Sequence, residues 1–233
     1  MNDHAAQYPA RVLEVIACSV EDAIEAEQGG AGRLEIISRF DVGGLTPSLE
    51  LVREIKSRVS IPVRVMLREN DGYGVRSMDE KDSLIATAQR LKECGIDGVV
   101  LGFLKENREV DLDLLVEILA ACPNLRATFH HAFEDSADKQ SSIQAIKSLP
   151  QVDRLLSHAG QGAWIDKYVT ADSYANAARP EIEVIAGGGI DLPAIRLLRE
   201  RTSITEFHVG TAARIDGRVE RKKVRELVRS IKE

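Results

Sequence analysis

Short apolar segments alternate with longer amphipathic segments along nearly the whole chain. Each apolar segment is rich in Val, Ile and Leu, which is typical of a buried parallel strand. Each is followed by apolar residues three or four positions apart, which indicates a helix with one buried face. The predicted strands are residues 11–16, 33–37, 63–68, 98–101, 126–130, 154–157, 182–186 and 206–209. The predicted helices are residues 20–28, 47–58, 78–94, 111–121, 137–149, 164–178, 192–201 and 219–231.

Eight strand–helix alternations without a linker predict one α/β domain, a closed (β/α)₈ TIM barrel over residues 11–233. An open doubly wound sheet would carry a glycine fingerprint after its first strand. Residues 15–19, VIACS, contain no glycine. Residues 1–10 have neither a basic segment nor an apolar run, so we expect a short extended or disordered tail and not a signal peptide.

Two helix starts are predicted from local chemistry. Thr46 is expected to cap the second helix with Pro47 at its first position, where a missing N–H costs nothing. Asp191 is expected to cap the helix that follows the three glycines 187–189. Such glycines let the backbone turn sharply and approach a ligand closely.

Composition narrows the classes of function. A net charge of −6 and an aromatic content of 4% disfavour a nucleic-acid surface. No apolar run approaches the ~18 residues that span a bilayer, so no membrane partner is expected. Three cysteines without CxxC spacing favour a reduced, cytoplasmic setting. The outer helices bury their apolar faces on the barrel first, which leaves a homo-oligomer open.

Ionisable residues recur at the predicted strand ends, where a TIM barrel places its chemistry. These candidate catalytic residues are Glu14, Glu35, Arg68, His130 and His208. A carboxylate inside an apolar strand is costly unless it is paired, and Arg68 is the expected counter-ion of Glu14 and Glu35. One hypothesis makes the three a structural ion network. The other makes them a ligand site, with one carboxylate as general base.

Two glycine-bearing strand ends predict an anion site. Backbone N–H groups there can surround an anionic ligand, and the expected residues are Gly187, Gly188, Gly189, Gly210 and Thr211. A tight turn required by barrel packing explains the same glycines equally well. If a metal binds, its ligands are expected to be His130, His158 and His208, and no cofactor is certain from the residues themselves.

Nine segments, in order, resemble the CutC family, and they recur from about residue 12 to 213. They are LEV (13–15), GGAGRLEI (29–36), GGLTPS (43–48), IPVRVMLR (61–68), GIDGVVLGFL (95–104), ATFHHAFED (127–135), RLLSHAG (154–160), AGGGI (186–190) and EFHVGTA (206–212). The resemblance implies a cytoplasmic (β/α)₈ barrel that takes part in copper homeostasis and binds copper. It also implies that Glu14, Glu35, Arg68, His130 and His208 stand at the barrel mouth.

The chain departs from the family pattern where copper is concerned. Ile16 and Ile37 stand where family members we would compare carry cysteine. Cu(I) prefers thiolate and thioether ligands, whereas imidazole also suits Zn²⁺ and Cu(II). Copper homeostasis is the function that the resemblance implies, although these two cysteines are replaced. The residues themselves favour an enzyme that acts by acid–base chemistry on a small anionic metabolite, and a non-catalytic barrel that binds a ligand is the third hypothesis.

Overall fold

The computed structural model describes residues 11–233, so the predicted tail over residues 1–10 lies outside the described residues. Eight parallel strands close into a barrel, each paired with its neighbours in sequence and β1 paired with β8. The predicted (β/α)₈ TIM barrel is confirmed. The strands are Val12–Ala17 (β1), Arg33–Ile36 (β2), Val63–Met66 (β3), Gly98–Leu101 (β4), Arg126–Phe129 (β5), Val152–Ser157 (β6), Glu183–Ala186 (β7) and Glu206–Val209 (β8).

Helices surround the barrel and bury one face each. They are Val20–Gly29 (α1), Leu49–Arg58 (α2), Met78–Glu93 (α3), Leu112–Ala121 (α4), Ala132–Asp135 (α5), Lys139–Lys147 (α6), Trp164–Ala178 (α7), Leu192–Arg201 (α8) and Arg221–Lys232 (α9). No helix among the described residues is long and apolar enough to cross a bilayer.

Alternate residues of each strand point to two different environments. Residues such as Leu13, Val15, Leu34 and Phe207 face the helices and belong to one large apolar core. Their neighbours face the barrel interior, where Ile37, Met66 and Val100 form a separate small apolar cluster. The rest of the interior is filled largely by charged and polar side chains.

Two local expectations about helix bounds are corrected, and one helix cap is confirmed. Ser48, not Thr46, caps α2 by accepting from Leu51 N–H. Thr46 is instead held against the end of β3, where its hydroxyl donates to Arg68 O and accepts from Arg68 N–H. The helix predicted over residues 137–149 is the shorter α6, and the unpredicted α5 precedes it. The Asp191 cap is confirmed, because its side chain accepts from Ala194 N–H at 2.9 Å.

The last helix also begins later than predicted. A small antiparallel hairpin of Arg214–Ile215 (β9) and Arg218–Val219 (β10) precedes it. The sharp reversal uses Asp216 and Gly217, both with positive φ. A short 3₁₀ turn, Thr211–Ala213, separates the hairpin from β8. The hairpin packs against α1, where the N–H of Val219 donates to Asp22.

Candidate functional site

A cavity of about 270 Å³ opens at the carboxyl ends of the strands, and we call it the mouth chamber. Its wall combines the apolar side chains of Ile16, Ile37, Met66 and Leu156 with seven polar ones. The polar residues are Glu35, Arg68, Tyr73, His130, His131, His208 and Thr211. Four of the five candidate catalytic residues therefore line one chamber, and the fifth, Glu14, lies just beneath it and contacts His208.

Glu35 and His208 face each other across the floor of the mouth chamber. Nε2 of His208 lies 3.3 Å from Oε2 of Glu35, and Nδ1 of His208 lies 2.7 Å from Oε1 of Glu14. A carboxylate can only accept, so His208 donates its Nδ1–H to Glu14 and turns Nε2 towards Glu35. The second oxygen of Glu35, Oε1, is buried and has no partner among the described residues.

The surroundings raise the pKa of both Glu35 and His208. Burial raises the pKa of Glu35 to about 7, with the charge of Glu14 adding to the shift and that of His208 opposing it. Burial disfavours the imidazolium of His208, yet the carboxylates of Glu35 and Glu14 together raise its pKa above the usual value. Burial alone would also raise the pKa of Glu14, but Arg33 and His208 hold it far below its usual range. Glu14 is thus held as an anion, while the pKa values of Glu35 and His208 are both raised.

Arg33, and not Arg68, is the counter-ion of Glu14. Its Nε donates to Glu14, and its Nη2 donates to Glu206 at 2.6 Å. Arg154 donates to both oxygens of Glu206 from the opposite side. A buried chain of alternating charges therefore underlies the mouth chamber, and the expected pairing of Arg68 with Glu14 and Glu35 is wrong.

Arg68 instead ties two loops to the rim. Its guanidinium donates to the backbone carbonyls of Val42, Gly44, Asp71 and Gly72. It also lies 4.9 Å from the ring centre of Tyr73. Carbonyl oxygens satisfy the hydrogen-bonding capacity of the guanidinium without neutralising it, so Arg68 keeps a positive charge at the wall of the mouth chamber.

His130 presents a hydrogen-bond donor. The N–H of Ala132 donates to Nδ1 of His130 at 3.1 Å, so the proton of the neutral ring sits on Nε2. Nε2 is buried without a partner among the described residues. Burial and the neighbouring Arg68 lower the pKa of His130 to about 3, so the ring is neutral at physiological pH. Gly102 makes room for it, because a Cβ there would lie 2.6 Å from Nδ1.

Four of the five expected anion-binding residues reach the mouth chamber: Gly188, Gly189, Gly210 and Thr211. Gly188 and Gly189 turn the chain with φ of 78° and 70°. Gly187 is not part of the lining, since its N–H continues the sheet by donating to Ser157 O. It has a packing role, because a Cβ would come within 2.5 Å of Leu156.

The three histidines expected as metal ligands are divided between different surroundings. His208 groups with Glu14 and Glu35, and His158 groups with His131 and Glu134. His130 belongs to neither of these groups, and the Ala132 N–H occupies the one lone pair of its neutral ring. His131 and Glu134 are not among the expected metal ligands, although HHAFE (130–134) places both within five residues of the end of β5.

Sulfur ligands are scarce at the mouth chamber. Met66 is the one sulfur-bearing residue in its lining. Cys18 packs against the inner apolar cluster, and burial raises the pKa of its thiol although Arg214 opposes the shift. Ile16 and Ile37 occupy wall positions where thiols would face the cavity.

A closed barrel of eight parallel strands and surrounding helices defines a TIM-barrel protein, and its chamber lies at the carboxyl ends of the strands, where such barrels place their active sites. The model of the CutC family matches residues 11–213, and the chain belongs to that family. It is 34% identical to a copper homeostasis protein cutC homolog of Mus musculus, over 84% of this chain and 72% of the mouse protein.

Two further relatives support the assignment to the CutC family. A CutC family protein of Xylella fastidiosa (strain Temecula1 / ATCC 700964) is 32% identical over 88% of this chain and 77% of its own length. The crystal structure of a putative copper homeostasis protein CutC from Streptococcus agalactiae superposes with a TM-score of 0.80 at 26% identity, covering 86% of this chain and 98% of that one. These similarities establish the fold and the family together.

Proposed function

We propose that this chain takes part in copper homeostasis, the role carried in the names of its mammalian relatives, and that it acts through the mouth chamber. Family membership over residues 11–213 supports the role. The chamber supports the location, because Glu14, Glu35 and His208 bring donor atoms within 4.8 Å of one another. The three free cysteines among the described residues suit a cytoplasmic setting.

The donors of the mouth chamber fit Cu(II) and do not fit Cu(I). Cu(I) requires soft thiolate or thioether ligands, and Met66 alone lines the cavity with sulfur. Imidazole and carboxylate suit Cu(II). Oε1 of Glu35, which has no partner among the described residues, would hold the ion together with Nε2 of His208. Arg33 keeps Glu14 occupied as the partner that orients His208.

Calorimetric titration with each oxidation state tests this proposal. We expect Cu²⁺ to bind at the mouth chamber and Glu35→Gln to weaken that binding at least tenfold, while exposed Glu54→Gln leaves it unchanged. Cu(I), added without oxygen, should neither bind stoichiometrically nor raise the melting temperature. One tightly held Cu(I) per chain, or Cu²⁺ binding indifferent to Glu35→Gln, would contradict the proposal.

A second function is favoured by the raised pKa of the Glu35 carboxyl, which lies beside His208. We propose that the mouth chamber transfers protons on a small anionic ligand, such as a phosphorylated metabolite. A carboxyl with a pKa of about 7 is suited to acid–base catalysis at neutral pH. The neutral His130 would donate its Nε2–H to an oxygen of the ligand, and the glycine-bearing loops and Arg68 would attract its negative charge.

Thermal shift with anions tests the second function. Phosphate, sulfate and sugar phosphates should raise the melting temperature by mass action, since they bind the folded chain. For any metabolite found to be turned over, Glu35→Gln should lower kcat at least 100-fold with little change in KM. An absence of stabilisation across a broad anion panel would count against an anionic ligand.

A further inference from the structure

A second cluster of metal-ligating side chains lies beside the mouth chamber, at the ends of β5 and β6. It consists of His131, Glu134 and His158, and we call it the rim cluster. One donor atom from each residue lies within 4.8 Å of the others. The imidazole centres of His131 and His158 are 5.3 Å apart, with their planes inclined at 42°. None of these residues belongs to the Glu14, Glu35 and His208 group.

His158 is oriented as a ligand would be. Its Nδ1 lies 2.9 Å from the carbonyl oxygen of Gly160, which can only accept, so Nδ1 carries the proton and Nε2 has a free lone pair. Metal-binding histidines usually donate their other N–H to a carbonyl or carboxylate in this way, which fixes the tautomer. The neutral ring is therefore set to offer Nε2 to a cation.

Glu134 is anchored through one oxygen and leaves the other available. Its Oε1 accepts from Ser157 Oγ at 2.6 Å and from the N–H groups of His158 and Ala159 at 2.8 and 3.1 Å. Its Oε2 lies 3.8 Å from Nδ1 of His158. The carboxylate is thereby positioned from the loop that also carries His158.

His131 has a buried ring nitrogen whose hydrogen-bonding capacity the fold leaves unsatisfied. Its Nδ1 is buried and has no hydrogen-bond partner among the described residues. A buried polar atom without a partner is costly, and a bound ion is one way in which such an atom is satisfied. The ammonium of Lys167 donates to Gly160 O at 3.0 Å and makes no hydrogen bond to Nδ1 of His131.

We propose that the rim cluster binds a divalent transition-metal ion through two imidazoles and one carboxylate. The donor set matches the ligation of Zn²⁺ by two histidines and one glutamate in sites that keep a position open for water or substrate. Harder ions such as Mg²⁺ and Ca²⁺ prefer oxygen ligands and should bind far more weakly. His131 also lines the mouth chamber, but none of the three ligands belongs to the Glu14, Glu35 and His208 group, so the site does not depend on the proposed function.

Titration of the whole chain with Zn²⁺ alone tests the site. We expect one Zn²⁺ to bind and raise the melting temperature, and Co²⁺ to give the visible absorption of a four- or five-coordinate site. Glu134→Gln and His158→Asn should each weaken Zn²⁺ binding at least as much as the roughly 10–100-fold lost when an outer partner is removed. In Glu134→Gln the side-chain amide oxygen can still accept the three anchoring bonds, so folding without metal should be preserved.

Glu35→Gln is the matched control in the mouth chamber. It should leave Zn²⁺ binding and the Co²⁺ spectrum unchanged, whatever it does to Cu²⁺. Zn²⁺ binding that survives Glu134→Gln and His158→Asn, or that is lost in Glu35→Gln, would overturn the rim site. Cu²⁺ binds such nitrogen and oxygen donors at least as tightly as Zn²⁺ does. The Cu²⁺ titration of Glu35→Gln is therefore made in the Glu134→Gln background, so that the mouth chamber and the rim cluster are tested separately.

Discussion

Nε2 of His208 lies 3.3 Å from Oε2 of Glu35, in a place where both side chains are almost fully buried. Neither residue can be fully charged or fully neutral without affecting the other. Glu14 fixes the direction of the imidazole from behind, at 2.7 Å from Nδ1. The pair is thus a buried carboxyl–imidazole unit in which the pKa of Glu35 is raised to about 7. Its second carboxyl oxygen, Oε1 of Glu35, has no partner among the described residues.

Stability should depend on pH through this pair. The pKa of Glu35 is 4.5 in its ordinary environment and about 7 in the folded chain, so the folded state holds more protons between these values. The free energy of unfolding therefore falls as pH rises through this window. His208, whose pKa is also raised, acts in the same direction above pH 6.5.

Glu35→Gln removes the first of these contributions. Between about pH 5 and about pH 8 the variant should lose less stability than the wild type, by on the order of a few kcal/mol. Urea unfolding at both pH values measures this difference, with Glu54→Gln as the exposed control. Equal losses in wild type and Glu35→Gln would show that Glu35 titrates normally.

The buried chain of charges makes Arg33 a strong determinant of stability. Arg33→Met leaves Glu14 and Glu206 without one of their buried partners, and breaking such a pair costs roughly 3–5 kcal/mol. Arg76→Met removes an exposed ion pair with Asp71 and should change stability by less than about 1 kcal/mol. Denaturant unfolding compares the two, and equal small effects would contradict the role of Arg33.

Arg68 should control the order of the loops at the rim. Arg68→Lys retains the charge, but an ammonium cannot reach four carbonyl oxygens arranged around a planar guanidinium. Hydrogen exchange over residues 39–46 and 69–77 should therefore become faster, while the outer helices keep their protection. Unchanged exchange in both loops would show that Arg68 does not hold them.

Two substitutions should give the mouth chamber a site for Cu(I). Ile16 and Ile37 both line the cavity, and replacing them with cysteine adds two soft donors next to Met66. The double variant Ile16→Cys and Ile37→Cys should bind one Cu(I) under anaerobic conditions, whereas the wild type should not. Spectrophotometric competition with a Cu(I) chelator measures both, and similar affinities would contradict the argument from missing thiols.

Periodicity predicts the barrel because each strand and each helix carries its own signal. Val12–Ala17 is short and apolar at every position except Glu14, and Asp191 caps α8 as its local chemistry requires. Local rules miss the helix start at Leu49, because Thr46 is engaged by Arg68 from a strand about twenty residues later. Such a tertiary contact cannot be anticipated from the neighbouring sequence.

The polar residues at strand ends predict most of the mouth chamber, but not its ion pairs. Glu14 lies beside Arg33 on one neighbouring strand and beside His208 on the other, a register set by the stagger of the closed barrel. Period-two alternation could have indicated Arg33 and Glu206, since they lie two residues before Glu35 and His208 and share their face. Their partners depend on which strands become neighbours.

The pKa of Glu35, beside His208, can be measured directly. A ¹³C NMR titration of the side-chain carboxyl of Glu35, assigned by comparison with Glu35→Gln, reports its pKa in the folded chain. We predict a midpoint of about 7, accompanied by a change in the ring signals of His208. A midpoint near the ordinary value of 4.5, with His208 unaffected, would contradict the account.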